Sequence, residues 1–455
     1  MGNGLAYTVL SIWPLIAIFL YQRQNIQKAS LWVLIGGLMI LPAKTVIDFP
    51  FIPPLGKHSM PVLSVLIGIW FIQGKKVHFF SNSGVLKYLV IMIFMAPLIT
   101  AELNSDFIIL PGTELRGLTH HDAFSSIIRQ FLLFAPFFIG RRFFQRYEDQ
   151  LLLFKTLVAA GLIYSLPMLF EIRMSPQLHT WIYGYFPSSF GQAKRADGFR
   201  PLVFMVHGLI VAFFTTMALA SAAALWKNKL KIKQFSPKIV CIYIFCILVL
   251  CKSIAALLFG VFAVVVIMTI KHETQQRIAV GLVCLTLLYP ALSIIKVFPH
   301  QELVDIAFDM DANRGQSLQF RFKNEKELLE RTEKRLFFGW GGWGRGRLYH
   351  EYTGKDISVT DGRWIQTFNT FGIFGFVAEF GLLSISVFRA YTASKYLKKN
   401  NEKNLFAAHS IMVGLVMINQ LPNSSLDPWL WLLSGVLLGR SEYVIKQNTN
   451  KYLVS

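Results

Sequence analysis

Long apolar runs recur along almost the whole chain, and they limit its fold more than any other feature. Each run holds about 15–25 residues, the length that an α-helix needs to cross the hydrocarbon core of a bilayer. Hydrophobic residues make up 54% of the 455 residues and charged residues only 15%. The pattern predicts an all-α, polytopic transmembrane helix bundle. It excludes soluble, disordered, collagenous and disulfide-scaffold proteins.

Hydropathy divides the apolar sequence into about thirteen spans, within a range of about 12–14. The eighth and ninth spans meet at Lys252, where we expect a tight reversal because one helix of that combined length is too long for a single crossing. The spans are Leu5–Tyr21, Leu31–Ile47, Pro61–Gln73, Val85–Ala101, Phe124–Gly140, Leu151–Glu171, Pro201–Trp226, Lys238–Cys251, Ser253–Ile270, Ile278–Val297, Trp364–Phe388, Leu405–Gln420 and Trp429–Ile445.

Positive charge alternates along the connections between these spans. Every odd-numbered span is followed by lysines or arginines, and such basic segments mark the cytoplasmic side of a membrane protein. We therefore expect the N-terminus outside, the C-terminus in the cytoplasm and three long outer connections, at 102–123, 172–200 and 298–363. The longest of them is expected to contain an amphipathic helix and to carry function.

The net charge of +20 has to be read in this membrane setting. In a soluble protein such a charge suggests nucleic acid as the partner. In a membrane protein it first indicates cytoplasmic loops that face anionic lipid. We therefore expect membrane lipid, and no nucleic acid, as a partner of this chain.

The outer loops also carry cations that the alternation of charge does not explain. Arg321 lies on the flank of a leucine seam, Lys252 interrupts an apolar run without an acidic neighbour, and Arg195 and Arg200 precede span seven. A charge in apolar surroundings needs a partner, so an anion site is the functional interpretation. The alternatives are a solvated helix face and, for Lys252, a side chain that snorkels to the interface.

Five glycines separate Trp340, Trp343, Arg345 and Arg347 within Gly339–Arg347. Glycines let backbone N–H groups approach a ligand closely, tryptophan can contact sugars or lie at the headgroup level, and arginine binds phosphate oxygens. A glycine-rich interfacial turn anchored by tryptophan is the alternative. The Lys-Ser/Thr ending of a nucleotide-binding loop is absent.

Charged residues also surround the start of span eleven. Asp361 suits either a general base or a helix N-cap, and Arg363 follows it. Glu379 lies far down the span from Asp361, about 27 Å along a straight helix, so we expect it to pair inside the bundle. His207, about two turns into span seven at 3.6 residues per turn, is expected to be a hydrogen-bonded packing residue.

In their order and topology these motifs resemble the O-antigen ligase and O-antigen polymerase superfamily of bacterial envelope proteins. The resemblance covers roughly residues 190–385. It rests on four features in chain order: Arg195-Ala-Asp-Gly198, similar to R-x-x-G; Lys252-Ser253 at the outer reversal, similar to a cation beside Ser or Gly; an amphipathic helix from near Arg321 into the glycine-rich segment, similar to P-x-x-G-x-G; and Asp361 with Gly372 and Gly375, similar to H-N-x-x-L-x-x-x-x-E-x-G-x-x-G.

Three family positions hold other residues in this chain. The usual histidine is Asp361, the usual glutamate is Thr370, and the usual arginine at the reversal is Lys252. Ligases of the family rely on that histidine, whereas the polymerases vary more at this position. The resemblance therefore favours a polymerase and implies three parts: N-terminal helices (1–190), a ligase/polymerase-like core with the outer loop (191–390) and C-terminal helices (391–455).

The resemblance implies a metal-independent membrane glycosyltransferase that needs no cofactor and lies in the bacterial inner membrane. It would transfer oligosaccharide from undecaprenyl diphosphate at the outer face, most simply to polymerise an O-antigen or exopolysaccharide. One alternative is the ligase, which attaches polymer to lipid A-core or another acceptor. An alternative of another class is a flippase or transporter of lipid-linked oligosaccharide. The expected partners are the undecaprenyl-diphosphate-linked glycan and other polysaccharide-assembly proteins.

This chemistry gives each candidate residue an expected role. A developing negative charge on a lipid diphosphate needs fixed cations in a poorly hydrated site. The catalytic residues would be Arg321 and Lys252, which clamp the diphosphate, and Asp361, which takes the acceptor proton. The substrate-binding residues would be Arg195, Arg200, Trp340, Trp343, Arg345, Arg347 and Arg363.

Overall fold

A computed structural model describes residues 2–49, 52–79, 84–195, 198–231 and 234–452. Within them lie seventeen α-helices and three short β-hairpins. The elements are α1 (Gly4–Arg23), α2 (Ile26–Ile40), β1 (Val46–Phe49), β2 (Ile52–Gly56), α3 (Ser59–Ile67) with a π-helical turn (Gly68–Ile72), α4 (Gly84–Glu102), β3 (Ile108–Leu110), β4 (Thr113–Leu115), α5 (His120–Phe143), α6 (Tyr147–Met174), α7 (Leu178–Tyr183), α8 (Phe190–Ala193), β5 (Lys194–Arg195), β6 (Gly198–Phe199), α9 (Gly208–Lys227), α10 (Pro237–Leu250), α11 (Ile254–Thr269), α12 (His272–Ile294), α13 (His300–Met310), α14 (Ala312–Glu333), α15 (Arg363–Ser394), α16 (Asn400–Asn419) and α17 (Pro428–Tyr452).

The helices confirm the all-α bundle expected from hydropathy. Seven described helices (α1, α4, α5, α6, α9, α12 and α15) are long and apolar enough to cross a membrane, and α2, α3 with its π-helical turn, α10 and α11 are shorter apolar helices. Together with α16 and α17, they occupy the thirteen predicted spans in order. The reversal at Lys252 also forms, because α10 ends at Leu250 and α11 begins at Ile254.

Small residues let the central helices approach one another closely. Helix α9 is alanine-rich and almost wholly buried. Helices α5 and α17 cross on glycines, since a Cβ on Gly435 would lie 2.0 Å from the carbonyl oxygen of Phe137 and one on Gly439 would lie 2.4 Å from that of Arg141. Close backbone contact of this kind is a common basis of helix association in membranes.

The connections between helices gather at two ends of the bundle. At the first end, which we name the loop end, the loops after α2, α4, α6, α10, α12 and α16 contact one another. Four hydrogen bonds connect these loops in pairs: Lys57 Nζ to the Phe204 carbonyl, Arg200 Nη2 to the Lys252 carbonyl, Arg345 Nη1 to the Asp106 carbonyl and Arg321 Nη1 to the Pro422 carbonyl. At the other end, which we name the basic end, the contacts include those of Arg141 with Glu442 and of Arg440 with Glu402.

Helix α15 is not the straight span that hydropathy predicts. Gly372 breaks it with φ 64° and ψ −161°. Arg363 and Glu379, which a straight helix would separate by about 24 Å, form an ion pair at 2.7 Å. Residues 363–371 therefore fold back beside residues 373–394. The expectation that Glu379 pairs internally is confirmed, since it is 4% exposed.

The longest loop contains a helical hairpin, α13 and α14. The amphipathic helix begins at Ala312, nine residues before Arg321, because Asp311 caps it by accepting a hydrogen bond from the backbone N–H of Arg314 at 3.1 Å. Its leucine face turns inward, with Leu328 and Leu329 buried. Arg321 thus lies within the helix, at the point where the hairpin meets the bundle.

Candidate functional site

A buried carboxylate fixes the loop that leads into α9. Glu171, near the end of α6, is 1% exposed and accepts hydrogen bonds from the backbone N–H groups of Leu202 and Val203 at 2.8 and 2.7 Å. A third bond comes from the N–H of Leu178 at 3.1 Å. This anchor was not predicted from the sequence. An acidic residue at the end of an apolar run is the feature that could have indicated it.

Three of the predicted cations meet beside this loop. Lys252 Nζ donates to the carbonyl oxygen of Arg195 at 3.3 Å, and Arg200 Nη2 donates to the carbonyl oxygen of Lys252 at 3.0 Å. Arg200 is 6% exposed, and its Nε has no hydrogen-bond partner within the described parts of the chain. Asp197 lies between Arg195 and Arg200 in the sequence and could neutralise one of them, but it is outside the described residues.

Arg321 joins this group from the opposite loop. Burial, together with the charges of Arg195 and Arg321, lowers the pKa of Arg200 to about 10. Burial, together with the charges of Arg200, Arg195 and Arg321, lowers the pKa of His207 to about 4. The interaction energy of two charges falls as the distance between them grows. We define the cationic cluster as Arg195, Arg200 and Lys252, which hydrogen bonds join, together with Arg321, whose charge acts on Arg200 and His207.

His207 lies at this cluster and not inside a helix. It is the N-cap of α9, and its Nδ1 accepts the backbone N–H of Leu209 at 3.1 Å. Its Nε2 lies 3.2 Å from Oε1 of Gln192, so the neutral ring carries its proton on Nε2. The predicted position two turns inside a helix is wrong, because the helix begins at Gly208 and not at Pro201, whereas the predicted hydrogen bonding of His207 is confirmed.

Asp361 faces Arg321 at the mouth of a cavity. Their side chains lie 3.6 Å apart, and Arg321 Nη1 also donates to the carbonyl oxygen of Pro422 at 3.2 Å. The N-cap of α15 is Gly362, so the alternative role of Asp361 as a helix cap is wrong. The carboxylate remains 43% exposed and is free of the helix backbone.

The cavity beside this pair has a volume of about 250 Å³. Its remaining lining is mainly apolar and comes from α12, α14, α15, α16 and the loops around them. The residues are Leu285, Tyr289, Phe298, Leu318, Phe322, Glu325, Val359, Gly362, Ile365, Ile418, Leu421 and Pro422. An apolar hollow with an ion pair at its edge, beside a cationic cluster, suits an amphiphile with an anionic head. We name it the first cavity.

The glycine-rich segment packs against the break in α15. The backbone N–H groups of Trp340 and Gly341 donate to the carbonyl oxygens of Asn369 and Thr370 at 2.8 and 2.9 Å. Trp340 is 7% exposed, and the guanidinium of Arg331 lies 3.7 Å from its ring centroid. The structure thus uses Trp340 and the nearby N–H groups to hold the loop, which corrects the expected contact of Trp340 with sugar.

The arginines near this segment differ in what they contact. Arg345 is fully buried, and it donates to the carbonyl oxygens of Asp106 and Arg116 at 2.8 and 2.9 Å. Arg363 is held by Glu379. Both therefore join parts of the fold, which corrects the expectation that they bind substrate. Arg347 pairs with Asp356 at the surface.

Trp343 is the other tryptophan of the segment, and it differs from Trp340 in exposure. Its side chain is 46% exposed, and its backbone adopts φ 55°, a left-handed conformation that few residues other than glycine adopt. Together with Arg347, it is the part of the segment Gly339–Arg347 that still presents large side chains outward. The contact of Trp343 with sugar and the binding of substrate by Arg347 therefore stay predictions.

The contrast between Arg345 and Arg347 gives a test within one loop. We expect Arg345→Ala to destabilise the protein by about 2–3 kcal/mol, because hydrogen bonds to a charged group contribute about 1.5–3 kcal/mol each. Arg347→Ala should change stability by less than about 1 kcal/mol, as for other exposed ion pairs. Thermal unfolding of the purified protein in detergent measures both. Equal unfolding midpoints for the two variants would contradict the assignment.

Side chains that could hold a metal ion do not cluster in the described parts of the chain, because no group of three or more His, Cys, Asp or Glu side chains is arranged to bind one. Comparison of the whole chain with protein-family models and with curated proteins gave no match.

Proposed function

We propose that this protein is a membrane glycosyltransferase that uses a lipid-diphosphate-linked oligosaccharide as its donor. The observation that carries the proposal is the convergence of Arg195, Arg200, Lys252 and Arg321, from separate loops, beside the first cavity. Within the described parts of the chain, the cluster has four cations and one ion-pair partner, Asp361, and such an excess of positive charge favours a multivalent anion. The apolar cavity beside it supports a lipid portion on the same ligand, as in undecaprenyl diphosphate.

The proposed reaction is a single displacement at the anomeric carbon of the donor sugar. A hydroxyl oxygen of the acceptor forms the new bond to this carbon while its bond to the diphosphate oxygen breaks. The electron pair leaves with the lipid diphosphate, whose charge the cationic cluster stabilises, and one well-placed donor contributes about 3–4 kcal/mol to such a transition state. Asp361, displaced from Arg321 by the diphosphate, accepts the proton of the acceptor hydroxyl.

Among transferases of this kind, polymerisation of an O-antigen or exopolysaccharide is the function we favour. Asp361 stands at the family position where ligases have histidine, and the polymerases vary more there. In this proposal the loop end faces the outside of the bacterial inner membrane and the basic end faces the cytoplasm, as the positive charges of the odd-numbered connections suggest. Other polysaccharide-assembly proteins would supply the lipid-linked repeat units.

The proposal can be tested with Asp361→Asn, which keeps the shape of the side chain but removes its ability to accept a proton. We expect cells with this variant to lose the long-chain ladder of surface polysaccharide on a gel, while single repeats remain attached. Asp309→Asn is the matched control, because Asp309 lies in the same long loop, is exposed and lines neither of the two described cavities.

The result of this experiment also separates the competing functions. Membrane abundance must be equal in all strains. Loss of all attached glycan in Asp361→Asn would favour the ligase. An unchanged ladder would contradict the role of Asp361. If the protein were a flippase, the inactive Asp361→Asn variant would instead leave the repeat units on the inner leaflet. An impermeant sugar-oxidising reagent could not reach them there in intact cells.

A further inference from the structure

A second cavity, with a volume of about 360 Å³, lies directly beside the first. The two cavities share Phe322 and Glu325 of α14 in their linings. The second cavity is bounded by α12, α13 and α14 and has exposed residues at its rim, including Gln301 and Gln319. The shared residues therefore separate the second cavity from the one that Arg321 and Asp361 line.

None of the four residues of the cationic cluster lines the second cavity, whereas Arg321 lines the first. The lining of the second holds three lysines and three glutamates, so their formal charges cancel; these residues are Lys296, Lys323, Lys326, Glu325, Glu330 and Glu333. A diphosphate gains little from such a lining. A neutral ligand with many hydroxyl groups suits it, because carboxylates accept and ammonium groups donate hydrogen bonds to hydroxyls.

A polar network forms the wall between the cavities. Glu325 accepts a hydrogen bond from the Tyr289 hydroxyl at 2.6 Å, and it lies 3.7 Å from Nε2 of His300. Ser293 Oγ lies 3.2 Å from the same nitrogen. The ring of His300 packs edge-on against Phe322 at 4.6 Å. Sugar rings present hydroxyl edges and apolar faces, and this wall offers partners for both.

We infer that the second cavity binds the acceptor glycan and directs its terminal hydroxyl group across the shared wall toward the donor in the first cavity. This inference rests on the proposed function. It assigns the substrate class of the second cavity as a phosphate-free oligosaccharide. The acceptor oxygen then forms the glycosidic bond at the donor carbon, and its proton passes to Asp361, as in the reaction above.

The test uses the whole protein, purified in detergent, and two separate ligands. The first is a set of phosphate-free oligosaccharides released by mild acid and phosphatase from the surface polysaccharide of the same cells. The second is undecaprenyl diphosphate. Gln319→Trp places a large ring at the exposed rim of the second cavity. Gln316→Trp is the matched control, since Gln316 is exposed one turn earlier on α14 and lines neither of the two described cavities.

We expect the wild-type protein and Gln316→Trp to bind the oligosaccharides equally in saturation-transfer NMR titrations. Gln319→Trp should bind them at least about tenfold more weakly, which corresponds to about 1.4 kcal/mol, and should bind undecaprenyl diphosphate normally. The inference is overturned if the wild-type protein does not bind the oligosaccharides, or if the two tryptophan variants bind them alike. Failure of the proposed function would show differently, as normal binding of undecaprenyl diphosphate by Arg321→Ala.

Discussion

Arg321→Ala is expected to lower the turnover of lipid-linked oligosaccharide by about 10²–10³-fold, the usual cost of removing one donor that stabilises transition-state charge. Arg321 contacts Asp361 at the cavity mouth and acts electrostatically on Arg200 and His207, so it connects the cluster with the proposed base. Arg321→Lys should recover part of the rate, because it keeps the charge but not the planar fork of donors.

Turnover is measured with the purified protein in lipid vesicles, as undecaprenyl diphosphate released from lipid-linked repeat units of the same cells. Arg314→Ala is the control on the same helix. Arg314 is exposed and lines neither of the two described cavities, so its removal should leave the rate unchanged. If Arg321→Ala turned over at the wild-type rate, Arg321 would have no part in the chemistry.

Gly372→Ala is expected to have the largest effect on the fold. The φ and ψ angles of Gly372 lie in a region that only glycine occupies readily, and strain of this kind costs about 1–3 kcal/mol. A Cβ would also lie 2.3 Å from the backbone carbonyl carbon of Phe337. We therefore expect the variant to lose the fold-back of residues 363–371, and with it both the Arg363–Glu379 pair and activity.

The measurement is the midpoint of thermal unfolding in detergent, together with the elution profile on size exclusion. Gly342→Ala is the control, since Gly342 lies in the adjacent glycine-rich segment and a Cβ there would meet nothing within 4 Å. We expect it to behave as the wild-type protein does. A Gly372→Ala variant with an unchanged midpoint and normal turnover would show that the break in α15 is not needed.

Local patterns in the sequence predicted much of this fold. The apolar runs predicted the thirteen helices of the bundle and their order, because the length of a membrane-crossing helix is set by the bilayer. The unexplained cations at Arg195, Lys252 and Arg321 predicted a shared site for a similar reason. A charge that neither lipid nor the positive-inside rule accounts for needs another explanation.

What the sequence could not predict depends on contacts between distant segments. A glycine in an apolar run is typical of close helix packing. The break of α15 at Gly372 depends on its close contact with Phe337, which is distant in sequence. Trp340 and Arg345 looked like ligand-binding residues because their partners, Arg331 and Asp106, come from other elements. Residue type and spacing do not distinguish an arginine that binds a phosphate from one that binds a backbone carbonyl.

Because residues 363–371 fold back on α15, we expect the protein to tolerate insertions in the loop before them better than changes at the groups that hold this loop. Backbone hydrogen bonds hold both ends of the loop 342–361. The N–H of Gly341 donates to the carbonyl of Thr370, and the N–H of Arg363 donates to the carbonyl of Gln420. Between such anchors, a longer connection costs little additional entropy. Insertions near 350–355 could therefore reshape the exposed surface for new saccharides without displacing the ionic groups, so related chains can diversify in specificity while their chemistry stays constant.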